Sequence, residues 1–224
     1  MWPIFYKRML SQLNIIALHL GSGASVCAVK GGKSWDTSMG LTPLSGLLGA
    51  TRSGNVDPSL VFHYASDVGK LSPASTKMLH ISKAEEILNK ESGLSSLTGT
   101  ADFAAIVGAD RAENPQHALA FDLFVDRVSA FIGSYYVSLG GKVDAIVFAG
   151  GIGEKSSRLR SAIVSSTACL GFAISDAANE SISTKGSIVQ DISCEDTRSK
   201  VLVCQTDEQI EMACMCVSKD ELWN

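Results

Sequence analysis

The sequence has 224 residues, and its 19 Lys or Arg and 23 Asp or Glu give a formal net charge of −4 at pH 7. Hydrophobic residues make up 46% of the chain, which is enough to bury the core of a globular protein. The basic residues are scattered, so we expect no nucleic-acid partner, and no apolar run reaches the roughly 18 residues that a membrane helix needs.

A single domain is predicted for nearly the whole chain. No linker, charge run or internal repeat interrupts residues 14–224, and residues 1–13 form a short N-terminal segment. That segment, MWPIFYKRMLSQL, carries its basic residues after its apolar ones, which is the reverse of a signal peptide. The six cysteines are dispersed and form no C-x-x-C pair, a pattern that favours reduced core thiols and a cytoplasmic location.

The first glycine-rich loop, Gly21-Ser22-Gly23, follows a predicted buried strand, Asn14–Leu20. The chain then continues through two more predicted strands, Ser25–Lys30 and Lys33–Thr37. Small residues let a backbone approach a ligand closely, and consecutive N–H groups there can surround an anion. No helix opened by Gly-Lys-Ser/Thr follows the loop, so it is not a Walker phosphate-binding loop.

Helical patterns fill the middle of the chain. In chain order they predict a helix over 57–67, a helix opened by a capping box over 82–93, a loop over 94–100, one or two helical turns over 101–107 and a long amphipathic helix over 115–139. The apolar stripe predicted for the long helix consists of Leu119, Leu123, Val128, Ile132, Tyr135 and Leu139.

A second glycine-rich loop, Ala149–Glu154, follows the apolar run Val143–Phe148 and precedes a helical pattern from about Ser156 to Leu170. The dinucleotide fingerprint would need a third glycine where Ser156 stands, and also a preceding βαβ unit. Two glycine loops that each follow a buried strand favour opposite walls of one nucleotide cleft. The alternative is two unrelated turns.

The last part of the chain returns to strand and helix. Residues 175–198 are weakly patterned and predict loops and short strands, Lys200–Cys204 predicts a strand, and Thr206–Gln209 is a capping box that opens a helix to about Ser218. Because strands and helices are mixed and hairpins occur near the start, the predicted class is α/β with a mixed sheet.

Three side chains could carry chemistry, and each has a structural alternative. Arg52 lies among small residues, where its planar fork could meet phosphoryl oxygens, but it could equally be a surface arginine beside an aspartate. Glu208 suits the first turn of any helix, and a lone strand histidine such as His19 is more often a core residue than an acid or base. The remaining histidines show no ligand spacing and are predicted to be structural: His63, His80 and His117.

Five motifs occur in the order and spacing of acetate kinases: HLGSGAS, GGKSWDTSMGLTPLSGL, ATRSGNVDP, FAGGIGE and VLVCQTDEQIEMA. From about Asn14 to Val217 the chain resembles the C-terminal half of that family, and we expect the family's N-terminal domain, which has a similar fold, to be absent. The family belongs to the superfamily of acetate and sugar kinases, Hsp70 and actin. The resemblance therefore implies a ribonuclease-H-like (actin/hexokinase-type) α/β domain with a mixed central sheet and flanking helices, acting as the C-terminal nucleotide-binding domain.

The activity that this resemblance implies is reversible transfer of the γ-phosphoryl group of ATP to acetate, which gives acetyl phosphate and ADP and requires Mg²⁺. By resemblance, Arg52 stabilises the transferring phosphoryl group and Glu208 binds the magnesium. Nucleotide binding is assigned by resemblance to three segments: His19, Leu20, Gly21, Ser22 and Gly23; Asp102, Phe103 and Ala104; and Gly151, Ile152, Gly153, Glu154 and Lys155. Family members dimerise through this half, so we also expect a homodimer.

Three positions depart from the family pattern. Ala104 replaces the arginine of an Asp-Phe-Arg motif on the purine, Ser22 replaces an asparagine of the first loop, and Lys155 replaces an asparagine after Gly-Glu. These changes leave the nucleotide preference open, and the carboxylate pocket belongs to the domain that we expect to be absent. The alternatives are a kinase for another short-chain carboxylate and a non-catalytic nucleotide-binding or dimerisation module.

Overall fold

The computed structural model of the chain describes residues 12–60, 70–73, 75–76, 81–183 and 187–217. Most of the helix predicted over 57–67 lies outside these residues, as do His63 and His80.

The centre of the fold is a six-stranded sheet. Its strands are β1 (Ile15–Leu20), β2 (Ala24–Lys30), β3 (Lys33–Thr37), β4 (Ala145–Ala149), β5 (Val189–Asp191) and β6 (Lys200–Cys204). Their spatial order is β3-β2-β1-β4-β6-β5. β4 pairs in parallel with β1 and β6, whereas β2, β3 and β5 join by antiparallel pairs, so the predicted α/β class with a mixed sheet is confirmed.

Strand periodicity divides the core between the two faces of the sheet. In β4, which is buried throughout, Ile146 and Phe148 join the main core, whereas Ala145 and Val147 form a smaller cluster with Leu202 on the other face. This continuous burial is typical of a central strand with parallel neighbours and covered faces.

Within the described ranges, eight α-helices accompany the sheet. They are α1 (Lys83–Lys90), α2 (Gly93–Thr98), α3 (Phe103–Gly108), α4 (Pro115–Ser138), α5 (Gly150–Lys155), α6 (Ser157–Ser166), α7 (Asp176–Glu180) and α8 (Glu208–Val217). As predicted, the Ser82 hydroxyl caps α1 by accepting from the Glu85 N–H at 3.1 Å, although the helix ends at Lys90 and does not reach Gly93. None of the described helices is long and apolar enough to cross a membrane.

The prediction of a loop over 94–100 is wrong, because this segment contains most of α2. Its composition, GLSSLT, is poor in helix formers. Contacts from an earlier loop fix the helix: Leu94 N–H donates to the Gly49 carbonyl and Ser95 N–H to the Ala50 carbonyl. Burial of Leu94, which is 2% exposed, stabilises the helix in this position. Tertiary contacts therefore override the local preference.

Three other predicted segments are corrected. Residues 150–154, predicted as a loop, form most of α5. The helix predicted over 156–170 ends at Ser166 and continues as a 3₁₀ turn, Ala168–Leu170, before Gly171 at φ +87°. Residues 175–198, predicted as loops and short strands, include both β5 and α7, and α7 is capped by the Ser175 hydroxyl.

The cysteine prediction needs one correction. None of the six cysteines forms a disulfide, but none is fully buried either. The thiols at positions 169, 214 and 216 are exposed, the last two because α8 leaves most of its described side chains in contact with solvent.

The long helix α4 is confirmed, but its predicted apolar stripe is partly wrong. Val128, Ile132 and Tyr135 are buried as predicted, whereas Leu119 is 59% exposed. At roughly 100° per residue, a position nine residues before Val128 lies on the opposite side of the helix. Phe124, which is 1% exposed, takes the inward position instead.

We therefore expect Phe124→Ala to lower the free energy of unfolding by about 3–5 kcal/mol, because it leaves a cavity in the core. The matched control, Leu119→Ala, should change it by less than about 0.5 kcal/mol, since the site is exposed. Urea denaturation followed by circular dichroism would measure both values. Equal losses in the two variants would contradict the packing of α4 described above.

Candidate functional site

The two glycine-rich segments meet at one edge of the sheet. β1 and β4 are neighbouring parallel strands, and His19 pairs with Ala149, so both strands end at the same level. Gly150 has φ +76°, and a Cβ there would lie 2.8 Å from the carbonyl oxygen of Leu20. Only glycine tolerates this conformation and this close approach. The two segments are therefore packed against each other at one sheet edge; they are neighbours and not the opposite walls that the sequence predicts.

A cleft of about 650 Å³ opens beside these segments. The first loop contributes Gly21 and Ser22, and the opposite side carries residues around the start of α3 and α6. Most of the residues assigned to nucleotide binding line it, namely Gly21, Ser22, Asp102, Phe103, Ala104, Gly151, Ile152 and Lys155. A Cβ added at Gly151 would meet no atom within 4 Å, so this backbone faces open space in the cleft.

The other assigned residues do not line this cleft. Leu20 is fully buried, and Gly153, also buried, packs against it. His19 is exposed on β1, where its strand partners are Ser25 and Ala149. In the first loop itself, the Gly21 N–H donates to the Gly23 carbonyl at 3.0 Å, so this N–H is already engaged and a bound anion would have to use other donors.

Arg52 lies directly over the first loop. A Cβ at Gly23 would lie 2.8 Å from Nη1 of Arg52, so a side chain there would displace the guanidinium. In the part of the chain that the structure describes, this half-buried guanidinium has no hydrogen bond or ion pair. The alternative partner, Asp57, accepts from the Ser59 N–H at 2.8 Å, and hydrogen bonds from Ser59 lower the pKa of that carboxyl. Arg52 therefore presents a cation beside the glycine loop.

The backbone that carries Arg52 is held from both sides. Ala50 N–H donates to the Ser22 carbonyl at 2.8 Å, which ties this segment to the first glycine loop. On its other side, Gly93 packs against the Gly49 carbonyl and the Arg52 backbone at φ +71°, too close for any Cβ. This double attachment fixes where the guanidinium can reach.

The start of α3 forms another wall of the cleft. Asp102 caps this helix, since its Oδ1 accepts from the Ala104 N–H at 2.9 Å. Phe103 is only 6% exposed, and its ring packs against Phe124 with centroids 5.3 Å apart. Ala104 is exposed and offers no side-chain group for stacking or hydrogen bonding. This wall is therefore anchored to the hydrophobic core through Phe103, and both Phe103 and Ala104 make it apolar.

Arg158 is a cleft residue that the sequence reasoning missed. It is the second residue of α6, and its guanidinium lies 5.4 Å from the ring centroid of Phe121 and donates to the Val107 carbonyl. With Lys155 it brings positive charge to the cleft. A cation in the first turn of a helix interacts unfavourably with the helix dipole. An arginine at this position was therefore the feature of the sequence that could have indicated a functional role for Arg158.

Glu154 turns away from the cleft and joins the second glycine segment to the end of the chain. Its Oε1 accepts from both the N–H and the hydroxyl of Thr206, at 3.1 and 3.0 Å. The predicted capping box at 206–209 is therefore wrong in its cap: Asp207 accepts from the Ile210 N–H at 3.0 Å and performs that role. Burial, together with the charge of Glu154, raises the pKa of the Cys204 thiol.

Glu208 is the first residue of α8 and directly follows this tethered segment; its side chain lies outside the described residues. Among the described side chains, no group of three or more His, Cys, Asp or Glu could hold a metal ion. Magnesium is commonly held by one or two carboxylates together with substrate phosphates and water. Glu208 supplies one carboxylate, and its backbone follows the segment tethered to Glu154, so the residue type fits that chemistry.

Comparison with known proteins gives one consistent result. The acetokinase family model matches residues 5–214. A probable acetate kinase of Chaetomium globosum is 57% identical, and the alignment covers 95% of this chain and 54% of that protein.

Solved structures give the same result for the fold. The acetate kinase of Porphyromonas gingivalis has a TM-score of 0.81 at 29% identity, covering 98% of this chain and 51% of that one. A propionate kinase from Francisella tularensis has a TM-score of 0.74 at 37% identity, covering 90% and 48%. These neighbours confirm the predicted actin/hexokinase-type fold. The chain spans about half the length of the relatives it matches.

Proposed function

The chain belongs to the acetokinase family, and we propose that residues 14–224 act as the C-terminal nucleotide-binding domain of a kinase that transfers the γ-phosphoryl group of ATP to acetate. The products are acetyl phosphate and ADP, and the reaction is reversible. The observation that carries the proposal is the cleft between the glycine segments and α3, with the Arg52 guanidinium beside the first loop and no hydrogen bond or ion pair to it among the described residues.

The arrangement suggests how ATP lies in the site. The apolar wall at Phe103 and Ala104, in a cleft that Arg158 also lines, suits a flat base and its ribose. The open backbone at Gly21 and Gly151 suits the phosphates, because no side chain prevents close approach. Arg52, on the far side of the first loop, would then face the terminal phosphoryl group.

Transfer of a phosphoryl group to a carboxylate requires alignment and positive charge more than proton transfer. The acceptor is already ionised at neutral pH, so no general base is needed. The planar fork of Arg52 can bind two equatorial oxygens of the moving group. Mg²⁺, held by Glu208, would neutralise phosphate charge when bound.

A second acyl substrate is supported by one observation. A propionate kinase is among the matched structures: the one from Francisella tularensis is 37% identical to this chain, against 57% for the probable acetate kinase of Chaetomium globosum. Transfer to another short-chain carboxylate is therefore our second candidate. The third candidate, a non-catalytic nucleotide-binding or dimerisation module, rests on the unusual residues Ser22, Ala104 and Lys155.

We also propose a cytoplasmic location, for which the absence of disulfides among the six cysteines is the support.

Nucleotide binding is tested with Gly151→Val. Mg–ATP at 100 times its Kd should stabilise the unaltered chain by about 2.7 kcal/mol, which would appear as a raised melting temperature. In the variant the valine side chain occupies the cleft, so this shift should disappear while the far-ultraviolet circular dichroism stays the same.

The matched control is Gly133→Val, a substitution in α4 where a Cβ also meets no atom within 4 Å and which lies outside the cleft. It should keep the full shift. A shift that persists in Gly151→Val would remove the second glycine segment from the nucleotide site.

Catalysis is tested by comparing the chain alone with a fusion to the unmatched half of the Chaetomium globosum relative. In-line positioning of donor and acceptor contributes up to ~7–11 kcal/mol, and in the family the acceptor pocket lies in the other domain. We therefore expect no acetyl phosphate above background from the chain alone in a hydroxamate assay, and measurable product from the fusion.

In the fusion, Arg52→Ala should reduce kcat by at least about 100-fold, since it removes charge stabilisation of the transition state. Arg111→Ala, which removes an exposed arginine paired with Asp122, should have no such effect. Product from the chain alone within tenfold of the fusion would refute this division of labour.

We also propose that the chain forms a homodimer. Its support is the exposure of large apolar side chains, including Trp35 at 60%, Leu41 at 104% and Val137 at 76%. We expect light scattering at tens of micromolar to give twice the mass of the chain. A stable monomer at that concentration would exclude the dimer.

A further inference from the structure

Arg160, on α6, is buried behind the cleft and does not line it. It is 1% exposed and is among the largest fully buried side chains of the described residues. Its Nη1 donates to the carbonyls of Gly153 and Glu154 at 2.8 and 2.7 Å. Its Nε and Nη2 donate to the side-chain and backbone oxygens of Asn179 at 2.7 and 2.8 Å.

The acceptors of this guanidinium are all neutral oxygens. Within the described residues, no carboxylate pairs with Arg160. Burial lowers the pKa of Arg160 to about 10, so the group remains charged at neutral pH. An apolar side chain of similar volume often stabilises a fold at least as well as a buried charge. Burial of this charge is therefore weak evidence for a contribution to stability, and the four hydrogen bonds are what distinguish the position.

The segment that Arg160 holds is a poor helix by composition. Three of the six residues of α5, GGIGEK, are glycines, and each glycine in a helix costs about 1 kcal/mol relative to alanine. The two carbonyls bound by Arg160 belong to the last turn of α5, whereas Gly151 and Ile152 of the same helix line the cleft. Contacts from behind must therefore fix the position of this cleft wall.

The residues that Arg160 contacts are themselves held by further hydrogen bonds. Asn179 is 2% exposed, and its amide group donates to the Ser157 carbonyl and the Ser161 hydroxyl at 3.0 and 2.9 Å. On the other side, Glu154 is held at its carbonyl by Arg160 and at its carboxylate by Thr206. One guanidinium thus connects α7, α5 and the segment that leads to Glu208.

We propose that Arg160 is a positioning residue for nucleotide binding: without touching the ligand, it fixes the backbone of α5 and, through Glu154, the Thr206–Glu208 segment. The identity of the ligand as Mg–ATP rests on the proposed function. The bracing of α5 by Arg160 stands on the contacts above.

The test compares Arg160→Lys with Thr167→Val in the 224-residue chain. Lysine keeps the charge but lacks the planar fork that binds four oxygens at once. Thr167 directly follows α6, is 3% exposed and donates from its hydroxyl to the Ile163 carbonyl at 2.9 Å. Its variant therefore loses a buried hydrogen bond that does not involve α5. Two quantities are measured: the Kd for Mg–ATP by calorimetry, and amide hydrogen exchange of residues 150–155 without nucleotide.

We expect Arg160→Lys to raise the Kd at least 10-fold and to speed exchange over residues 150–155 at least 10-fold. Thr167→Val should change both by less than twofold, even if both variants lose similar melting temperature. Unchanged exchange in Arg160→Lys would overturn the proposal. So would equal increases of the Kd in Arg160→Lys and Thr167→Val when the two variants lose the same melting temperature.

Two further outcomes are separated by the same design. If the unaltered chain binds no Mg–ATP, the proposed function fails, whereas the exchange rates still decide whether Arg160 braces α5. If Arg160→Lys does not fold, Asn179→Ala replaces it; this variant removes one acceptor of Arg160 and should speed exchange over residues 150–155 by a smaller factor. Unchanged exchange in Asn179→Ala would then overturn the proposal.

Discussion

Parallel pairing of β1 with β4 is the constraint on which the site depends. The register that sets His19 opposite Ala149 ends both strands together, so the glycine segment after each strand begins at the same level. Gly150 then packs on Leu20 at a distance that excludes any side chain. A shift of one residue in this register would turn the side chains of one strand to the opposite face and separate the two segments. The cleft is therefore a product of sheet geometry before any ligand is considered.

Positive charge is distributed around the cleft in two different ways. Lys155 and Arg158 are exposed at its lining, where solvent screens their field, and Arg158 already contacts the Val107 carbonyl and the Phe121 ring. Arg52 is half-buried and mounted on a segment fixed by Ser22 and Gly93. A cation held in advance of binding needs little reorganisation when charge develops on a ligand, which suits a group acting on the transition state. The exposed cations suit recruitment of the anion.

The sequence predicted those elements whose pattern is local. β6 was predicted at its observed bounds, and α4 within one residue, because each carries its own apolar periodicity and the helix has a proline start and a glycine stop. The helices α2 and α5 could not be predicted, since their glycine- and serine-rich sequences become helical through contacts with distant segments.

The residues of the candidate site also fall into two groups, those that local motifs indicate and those whose position depends on tertiary packing. Glycine loops after strands are visible as motifs, and the family resemblance singled out Arg52 and Glu208. Arg158 and Arg160 are two arginines in one helical pattern, and the sequence alone does not show that one reaches the cleft while the other is buried behind it. That distinction depends on the packing of α6 against α4, α5 and α7, which is set by the tertiary fold.

The neutral partners of Arg160 have a consequence for acid resistance. An anchor made of an arginine and a carboxylate weakens when acid protonates the carboxylate, but carbonyl and amide oxygens do not titrate in that range. Burial lowers the pKa of Arg160 to about 10, so the folded state binds fewer protons than the unfolded state only between that value and the ordinary pKa of an arginine. In that window stability rises with pH; below about pH 10 this group adds no pH dependence. The backbone behind the cleft is thus fastened by a contact that mild acidification leaves intact.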